Sequence, residues 1–129
     1  MTRPISEKIT VYGIPNCDTV KKSRVWLTVE GHDFEFHDFK KQGLDLATIE
    51  NWLKYVPLET LINRKGTTWR SLSDVQKATA TDVKTAQLLI ISNPSLVKRP
   101  VLQIADGKNI KYVSVGFSPG QFQTIFENK

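Results

Sequence analysis

A strand, a helix and a second strand follow one another near the start of the chain, and this succession limits the fold more than any other feature. Residues 8–13 form a short apolar run that predicts a strand. Residues 18–30 carry apolar residues at helical spacing, and Gly31 predicts the end of that helix. The predicted buried side of the helix comprises Val20, Trp26, Leu27 and Val29. Residues 34–38 alternate aromatic and polar side chains and predict a second strand, parallel to the first and joined to it by a right-handed crossover.

The middle of the chain, residues 43–92, has a helical pattern instead of a strand pattern. Apolar residues recur at helical spacing up to Pro57, and a short helical turn is expected after it. Beyond a break at residues 66–68, we expect one helix over about 69–78 and another that Thr81 or Asp82 caps. This region therefore predicts an insert made of helices.

Strand patterns return in the last part of the chain. Residues 101–104 and 110–115 predict two strands joined by a turn over 105–109, and a final helix is expected to begin at Ser118 or Pro119. The predicted order is β-α-β, a helical insert, then β-β-α. That order is typical of an α/β, thioredoxin-like fold with a mixed sheet.

The chain is short enough to be a single domain. Its 129 residues fall within the usual size of one domain. We expect the thioredoxin-like core to comprise about residues 6–42 and 93–127, with the helical insert at about 43–92.

Charge and composition exclude several classes of function. The formal net charge is +5, but the basic residues form scattered pairs without interleaved aromatic residues, so a nucleic acid partner is not expected. No apolar run is long enough for a membrane span. The first eight residues lack the apolar stretch of a signal peptide, so we expect a cytoplasmic protein. One cysteine and two histidines, His32 and His37, provide no convincing set of metal ligands.

Cys17 is the only cysteine, and it lies where the first predicted strand gives way to the helix. Backbone N–H groups at a helix start stabilise an anion, and Lys21 and Lys22 lie within the first turn, so both features favour the thiolate over the thiol. Asp18 acts in the opposite direction. The alternative is a buried cysteine that packs as a small hydrophobic residue. The turn and the cations lead us to favour a reactive thiol.

Four stretches of the sequence carry a family pattern. They are residues 12–22 (YGIPNCDTVKK), 61–69 (LINRKGTTW), 93–102 (NPSLVKRPVL) and 115–119 (VGFSP). In this order and spacing they resemble the ArsC family, the arsenate reductase-like proteins that include the Spx regulators. The most similar subgroup is the YffB type, and the resemblance extends over nearly the whole chain.

The resemblance implies a thioredoxin-like fold with a helical insert and a nucleophilic thiol at Cys17. It also implies that Arg64 and Arg99 hold an oxyanion, or the carboxylates of glutathione, through the fork of their guanidinium groups. Pro100 is similar to the cis-proline that faces the active thiol in thioredoxin folds. The alternatives are that Arg64 caps or solvates the end of a short helix, that Arg99 is a surface charge beside a strand, and that Pro100 is an ordinary trans proline. The predicted anion- or glutathione-binding residues are Asn16, Lys21, Arg64 and Arg99.

Two features depart from the family pattern. Arsenate reductases of this type use a third arginine near the end of the last strand, whereas residues 113–117 contain none and Lys111 is the nearest cation. Spx regulators often carry a Cys-x-x-Cys pair, whereas Val20 stands at the second cysteine position here. An internal disulfide switch is therefore excluded.

The sequence thus predicts a glutathione-dependent monothiol reductase in which Cys17 forms a mixed disulfide or another covalent adduct. Because there is no second cysteine, an external thiol must resolve the adduct, and glutathione is the expected co-substrate. We expect a monomer with no tightly bound cofactor, no metal and glutaredoxin as a further partner. One alternative is a non-enzymatic, Spx-like regulator that binds RNA polymerase. The other is a true arsenate reductase in which Lys111 replaces the missing arginine.

Overall fold

The computed structural model of the protein describes residues 7–127. In chain order its elements are β1 (Glu7–Gly13), α1 (Asp18–Val29), β2 (Glu35–Asp38), α2 (Phe39–Gln42), α3 (Leu46–Leu53), α4 (Leu58–Leu61), α5 (Thr67–Ser71), α6 (Asp74–Thr79), α7 (Val83–Ser92), a 3₁₀ turn (Pro94–Leu96), β3 (Val101–Asp106), β4 (Asn109–Val115) and α8 (Pro119–Glu127). They divide between two compact units. The first holds the residues up to Asp38 and from Arg99 onwards, and the second holds Phe39–Lys98. The second unit contains more residues than the insert expected at 43–92, because it also includes α2 and residues 93–98.

The strands of the first unit form one mixed sheet in the order β2-β1-β3-β4. β1 and β2 are parallel, with Thr10 opposite Glu35 and Gly13 opposite Asp38, and α1 connects them. β3 is antiparallel to both β1 and β4. A tight turn joins β3 to β4, and its Gly107 has a φ of 60°, a conformation that glycine adopts without strain. The predicted β-α-β … β-β-α order and thioredoxin-like fold are confirmed.

The hydrophobic core of the first unit lies against one face of this sheet. Ile9 and Val11 alternate along β1 and lie opposite Ile104 and Leu102 of β3, so all four point to the same face. The helices complete the cluster with buried apolar side chains, which are Leu27 of α1 and Phe122 and Ile125 of α8. Burial of this cluster fixes β1, and with it the start of α1, against the sheet.

The prediction that one side of α1 is buried is confirmed for Val20 and Leu27 and is wrong for Val29. Val20 and Leu27 are fully buried, whereas Val29 is 74% exposed. Seven residues bring Leu27 back to nearly the same side of the helix as Val20, but nine residues place Val29 about 180° away. Val29 therefore lies on the opposite side of the helix from the core.

The helix predicted over about 69–78 is in fact two helices, α5 and α6. The chain leaves the helical conformation at Leu72, and Ser73 is the N-cap of α6. The Ser73 hydroxyl accepts a hydrogen bond from the Gln76 backbone N–H at 3.1 Å, and the Gln76 side chain accepts one from the Ser73 backbone N–H at 2.9 Å. This capping box supplies partners for two N–H groups that a continuous helix would have bonded internally, and so favours a new helix start.

The second unit is built from α2 to α7 and the 3₁₀ turn. Ile49 and Trp52 of α3 and Ile90 of α7 are fully buried, and α3 lies against α7. An isolated bridge pairs Ile62 with Val97, where two short backbone hydrogen bonds of 2.8 Å join the residues on either side. The bridge holds the end of α4 next to the segment that leads to Lys98.

Residues 7–127 contain neither a candidate membrane-spanning helix nor a candidate metal-binding cluster. No helix in this range has both the length and the apolar character that a membrane span requires. The same residues contain no cluster of three or more histidine, cysteine, aspartate or glutamate side chains that could hold a metal ion.

Candidate active site around Cys17

Cys17 lies at the start of the helix that follows the central strand β1. β1 ends at Gly13, and a turn at Pro15 and Asn16 leads to Cys17. Cys17 is the N-cap residue of the 12-residue helix α1 and has an extended backbone, with φ −102° and ψ 123°. Its carbonyl oxygen accepts the first helical hydrogen bond from the Lys21 N–H at 2.9 Å. The thiol is thereby held at the positive end of the helix.

Cys17 is partly exposed. An N-cap side chain usually accepts a hydrogen bond from the second or third N–H of its helix, which here belong to Thr19 and Val20. Over residues 7–127, the Cys17 side chain makes no such hydrogen bond. A thiol is a weak hydrogen-bond acceptor and a thiolate is a strong one. The first turn also carries the carboxylate of Asp18.

Pro100 lies at the same end of the sheet as the Cys17 turn. The next residue, Val101, is opposite Tyr12 near the end of β1 and opposite Val115 at the end of β4. The carbonyl oxygen of Pro100 accepts a hydrogen bond from the Gly116 N–H at 2.9 Å. Pro100 is buried, and its peptide bond with Arg99 is cis, the isomer that the resemblance implies.

Arg99 precedes this proline and is partly buried. Its Nε atom has no contact with solvent. Because β3 runs antiparallel to β1, the residue before β3 and the residues after β1 leave the same end of the sheet. The strand register therefore brings the Arg99 backbone and the Cys17 turn to one end of the first unit.

The other predicted site residues differ in their surroundings. Asn16 and Lys21 are exposed, Asn16 in the turn and Lys21 one helical turn beyond Cys17. Arg64 belongs to the second unit, where it is exposed and its guanidinium carbon lies 5.3 Å from the centre of the Trp69 ring. That contact is a cation–π interaction and gives the arginine a local structural partner. The roles assigned to these three residues stay predictions.

Lys111 does not lie near Cys17, so the hypothesis that it replaces the missing arginine is wrong. Its Nζ lies 2.8 Å from a carboxylate oxygen of Glu7, the first residue of β1. β1 runs from Glu7 to Gly13 before the turn to Cys17, a distance of about 20 Å for an extended strand. Lys111 therefore pairs with a carboxylate at the far end of the sheet and cannot assist an oxyanion at Cys17.

Asp38 is a residue that sequence reasoning did not assign to the site. It ends β2, lies opposite Gly13 and is only 8% exposed, which places a buried carboxylate at the sheet end where the Cys17 turn begins. The alternation from residue 34 to residue 38 was the signal, because it places Asp38 on the same face as the aromatic residues of that strand. The same alternation predicted the strand but no role for Asp38.

Comparisons with known proteins extend over nearly all of the described chain. The sequence model of the ArsC family matches residues 12–125. An uncharacterised protein of Haemophilus influenzae is 39% identical over 118 residues, which cover 92% of this chain and 98% of that protein.

Solved structures show the same similarity in three dimensions. The YFFB (PA3664) protein is 37% identical, with a TM-score of 0.80 over 91% of this chain and 97% of that one. An arsenate reductase (ArsC) related protein from Brucella melitensis is 46% identical, with a TM-score of 0.70 over 97% of this chain and 99% of that one.

Proposed function

The chain belongs to the ArsC family of arsenate reductase-like proteins, and from that premise we propose that it is a glutathione-dependent monothiol reductase with Cys17 as its nucleophile. The observation that carries the proposal is the position of Cys17. A partly exposed cysteine is the N-cap of α1, and N–H groups of the first turn are available to a thiolate.

The reaction we propose is the reduction of a mixed disulfide between a substrate thiol and glutathione. The Cys17 thiolate attacks the glutathione sulfur, a new Cys17–glutathione disulfide forms, and the substrate leaves as a thiolate that takes up a proton. A second glutathione thiolate then attacks the glutathione sulfur bound to Cys17. Glutathione disulfide leaves and the Cys17 thiolate is restored. Each turnover oxidises one free glutathione, which leaves joined to the glutathione of the substrate, and reduces one substrate sulfur to a thiol.

Residues at the sheet end would assist this exchange. The N–H groups of Thr19 and Val20 would stabilise the thiolate both before the attack and when it leaves again. Arg99 would bind a carboxylate of glutathione through two parallel hydrogen bonds, a geometry that lysine cannot reproduce. Asn16 and Lys21, which flank Cys17 along the chain, would contribute a donor and a positive charge. This chemistry requires a reducing compartment, so we place the reaction in the cytoplasm.

A coupled assay tests the proposal. The substrate is the mixed disulfide of glutathione and 2-mercaptoethanol, and glutathione disulfide is followed through glutathione reductase and NADPH consumption. We expect turnover by the wild-type protein and none by the Cys17→Ser variant. Mass spectrometry after mixing with glutathione disulfide should show one glutathione on Cys17. Absence of both turnover and adduct would contradict the proposal.

A further inference from the structure

Helix α1 carries exposed apolar side chains beyond Cys17, its N-cap residue. Val25 is 61% exposed and Val29 is 74% exposed. Cys17, Lys21, Val25 and Val29 follow one another at intervals of four residues, so they form one inclined stripe that turns about 120° around the helix between Cys17 and Val29. Exposed apolar patches on soluble proteins mark binding surfaces when they are contiguous. The exposed apolar part of the stripe begins about two helical turns beyond Cys17 and has the character of a binding site.

Two hollows flank this stripe, and we call them together the α1 groove. The first has a volume of about 540 Å³, and its apolar lining comes from Val25, Trp26, Val29, Phe117 and Pro119. The second has a volume of about 490 Å³ and adds Thr28 and Phe34 on the other side of the helix stripe. Val25 and Val29 line both hollows, so a ligand that covers these two side chains would occupy parts of both hollows.

The charged groups of the α1 groove all have one sign. Over residues 7–127, its charged lining consists of Lys21, Lys22 and Arg24. The guanidinium carbon of Arg24 lies 4.1 Å from the centre of the Phe36 ring, which positions that cation beside the groove. Cations around apolar side chains complement a segment in which carboxylates alternate with apolar residues.

We propose that the α1 groove docks an acidic, apolar segment of a substrate protein, and that this segment carries the disulfide that Cys17 attacks. The covalent part of this inference rests on the function proposed above. From Cys17 to Val29 the helix rises about 18 Å, which an extended chain spans with about five or six residues. The preferred substrates therefore have leucine- or phenylalanine-like and acidic residues within about six positions of the reacting cysteine.

Activated peptides test this proposal directly. Each peptide has one central cysteine joined as a disulfide to 2-thiopyridine. Cys17 displaces 2-thiopyridone and forms a disulfide with the peptide. The absorbance of the released 2-thiopyridone measures the rate of this exchange. One peptide has glutamate and leucine on both sides of the cysteine, a second replaces leucine with serine, and a third replaces glutamate with lysine. Each rate constant is divided by that of the same protein with dipyridyl disulfide, which corrects for the reactivity of the thiol.

We expect the glutamate–leucine peptide to react about tenfold faster than either of the others, with an advantage that shrinks at high salt. The Val25→Glu and Val29→Glu variants should lose most of this preference. Val75→Glu is the matched control, because Val75 is 73% exposed on α6 and receives the same change in charge. Equal normalised rates for the three peptides would overturn the proposal.

Two further measurements separate the docking surface from the chemistry. If Cys17 reacts with dipyridyl disulfide but shows no peptide preference, the docking proposal fails and the proposed reductase stands. If the Cys17→Ser variant binds a fluorescent, cysteine-free glutamate–leucine peptide and the wild-type thiol is inert, the proposed reductase fails and the docking proposal stands.

Sedimentation should show a monomer. Self-association that Val25→Glu abolishes would instead assign the groove to a second copy of the chain.

Discussion

Gly13 and Val20 approach each other so closely that a Cβ atom on Gly13 would lie 2.7 Å from Cγ2 of Val20. Gly13 is the last residue of β1, and Val20 is fully buried in the first turn of α1, on either side of the turn that carries Cys17. The absence of a side chain at Gly13 therefore allows α1 to begin against the end of the strand. This contact fixes the position of the N-terminal end of the helix, and hence of the thiol.

Gly13→Ala should displace the first turn of α1 and lower the free energy of unfolding by about 1–3 kcal/mol, because the Val20 side chain is branched and enclosed. Urea denaturation measures this change, and the rate of Cys17 exchange with dipyridyl disulfide reports the displacement of the thiol. Gly120→Ala is the control, because a Cβ there meets no atom within 4 Å. Equal stabilities of the two variants would show that the Val20 contact does not constrain the helix.

The ion pair between Glu7 and Lys111 leads to a prediction that separates stability from activity. The Glu7 side chain is 5% exposed and that of Lys111 is 44% exposed. Lys111→Met removes the positive charge beside a buried carboxylate, so the free energy of unfolding should fall by about 1–3 kcal/mol. Cys17 exchange should keep its wild-type rate, because the pair lies at the far end of the sheet.

Lys8→Met provides a matched control for this variant. Lys8 pairs with Glu35 at 2.9 Å, but the two side chains are 58% and 64% exposed, so the loss should be below about 1 kcal/mol. A large loss of Cys17 exchange in Lys111→Met, with stability retained, would restore a role for Lys111 in the reaction.

The elements of the first unit were predictable because their signals are local. A strand of apolar residues, a helix ended by glycine and an alternating strand each span fewer than fifteen residues, and chain connectivity then requires a parallel β1–β2 pair. The position of Cys17 at the start of α1 follows from the same local pattern. The positions of Arg99 and Pro100 at that end of the sheet depend on the pairing of β3 with β1, which spans most of the chain and came from the resemblance.

Three other features could not be obtained from the same patterns. Val29 was assigned to the core because it is apolar, although its angle around α1 places it on the opposite side from Val20. The break before Ser73 depends on a reciprocal pair of hydrogen bonds that competes with continued helix. Lys111 is near the third-arginine position along the chain, but its place in space is set by the pairing of β4 with β3 and by its carboxylate partner.

Asp82 gives the second unit a stability that depends on pH. It is the N-cap of α7, and first the backbone N–H and then the hydroxyl of Thr85 hold the pKa of its carboxyl below the ordinary value. The carboxylate therefore stabilises the folded state above the ordinary aspartate pKa of about 3.9, and this contribution is lost as the pH falls through the lower folded value.

Asp82→Asn is the informative variant, because asparagine retains an N-cap acceptor that does not titrate. The wild-type protein should be more stable than Asp82→Asn at pH 7, and the difference should shrink as the pH falls from 7 to values below the ordinary aspartate pKa of about 3.9. Chemical denaturation at a series of pH values measures the difference in the free energy of unfolding between the two proteins. A difference that stays constant over this range would show that the Thr85 hydrogen bonds do not depend on the charge of Asp82.

Kinetic measurements can distinguish two roles for Arg64, which are the local contact with Trp69 and binding of the thiol substrate. If it binds the thiol substrate, Arg64→Ala should raise the KM for glutathione several-fold while the fold stays intact. Loss of the contact with the Trp69 ring alone should cost about 0.5–1 kcal/mol of stability at this exposed position. Lys65→Ala removes the neighbouring exposed charge and serves as the control. Unchanged kinetics in Arg64→Ala would limit this residue to its local contact.

Arg99 should contribute more to catalysis than any neighbouring cation if it binds a glutathione carboxylate. Loss of a charge-assisted pair of hydrogen bonds corresponds to about 1.5–3 kcal/mol, so Arg99→Ala should lower kcat/KM for the mixed disulfide by roughly 10- to 100-fold. Arg99→Lys should recover only part of this loss, because lysine keeps the charge but not the planar fork. The matched control is Lys98→Ala, which removes one exposed charge from the adjacent residue. Equal effects of Arg99→Ala and Lys98→Ala in the coupled assay would mean that Arg99 acts only through the overall charge of this surface.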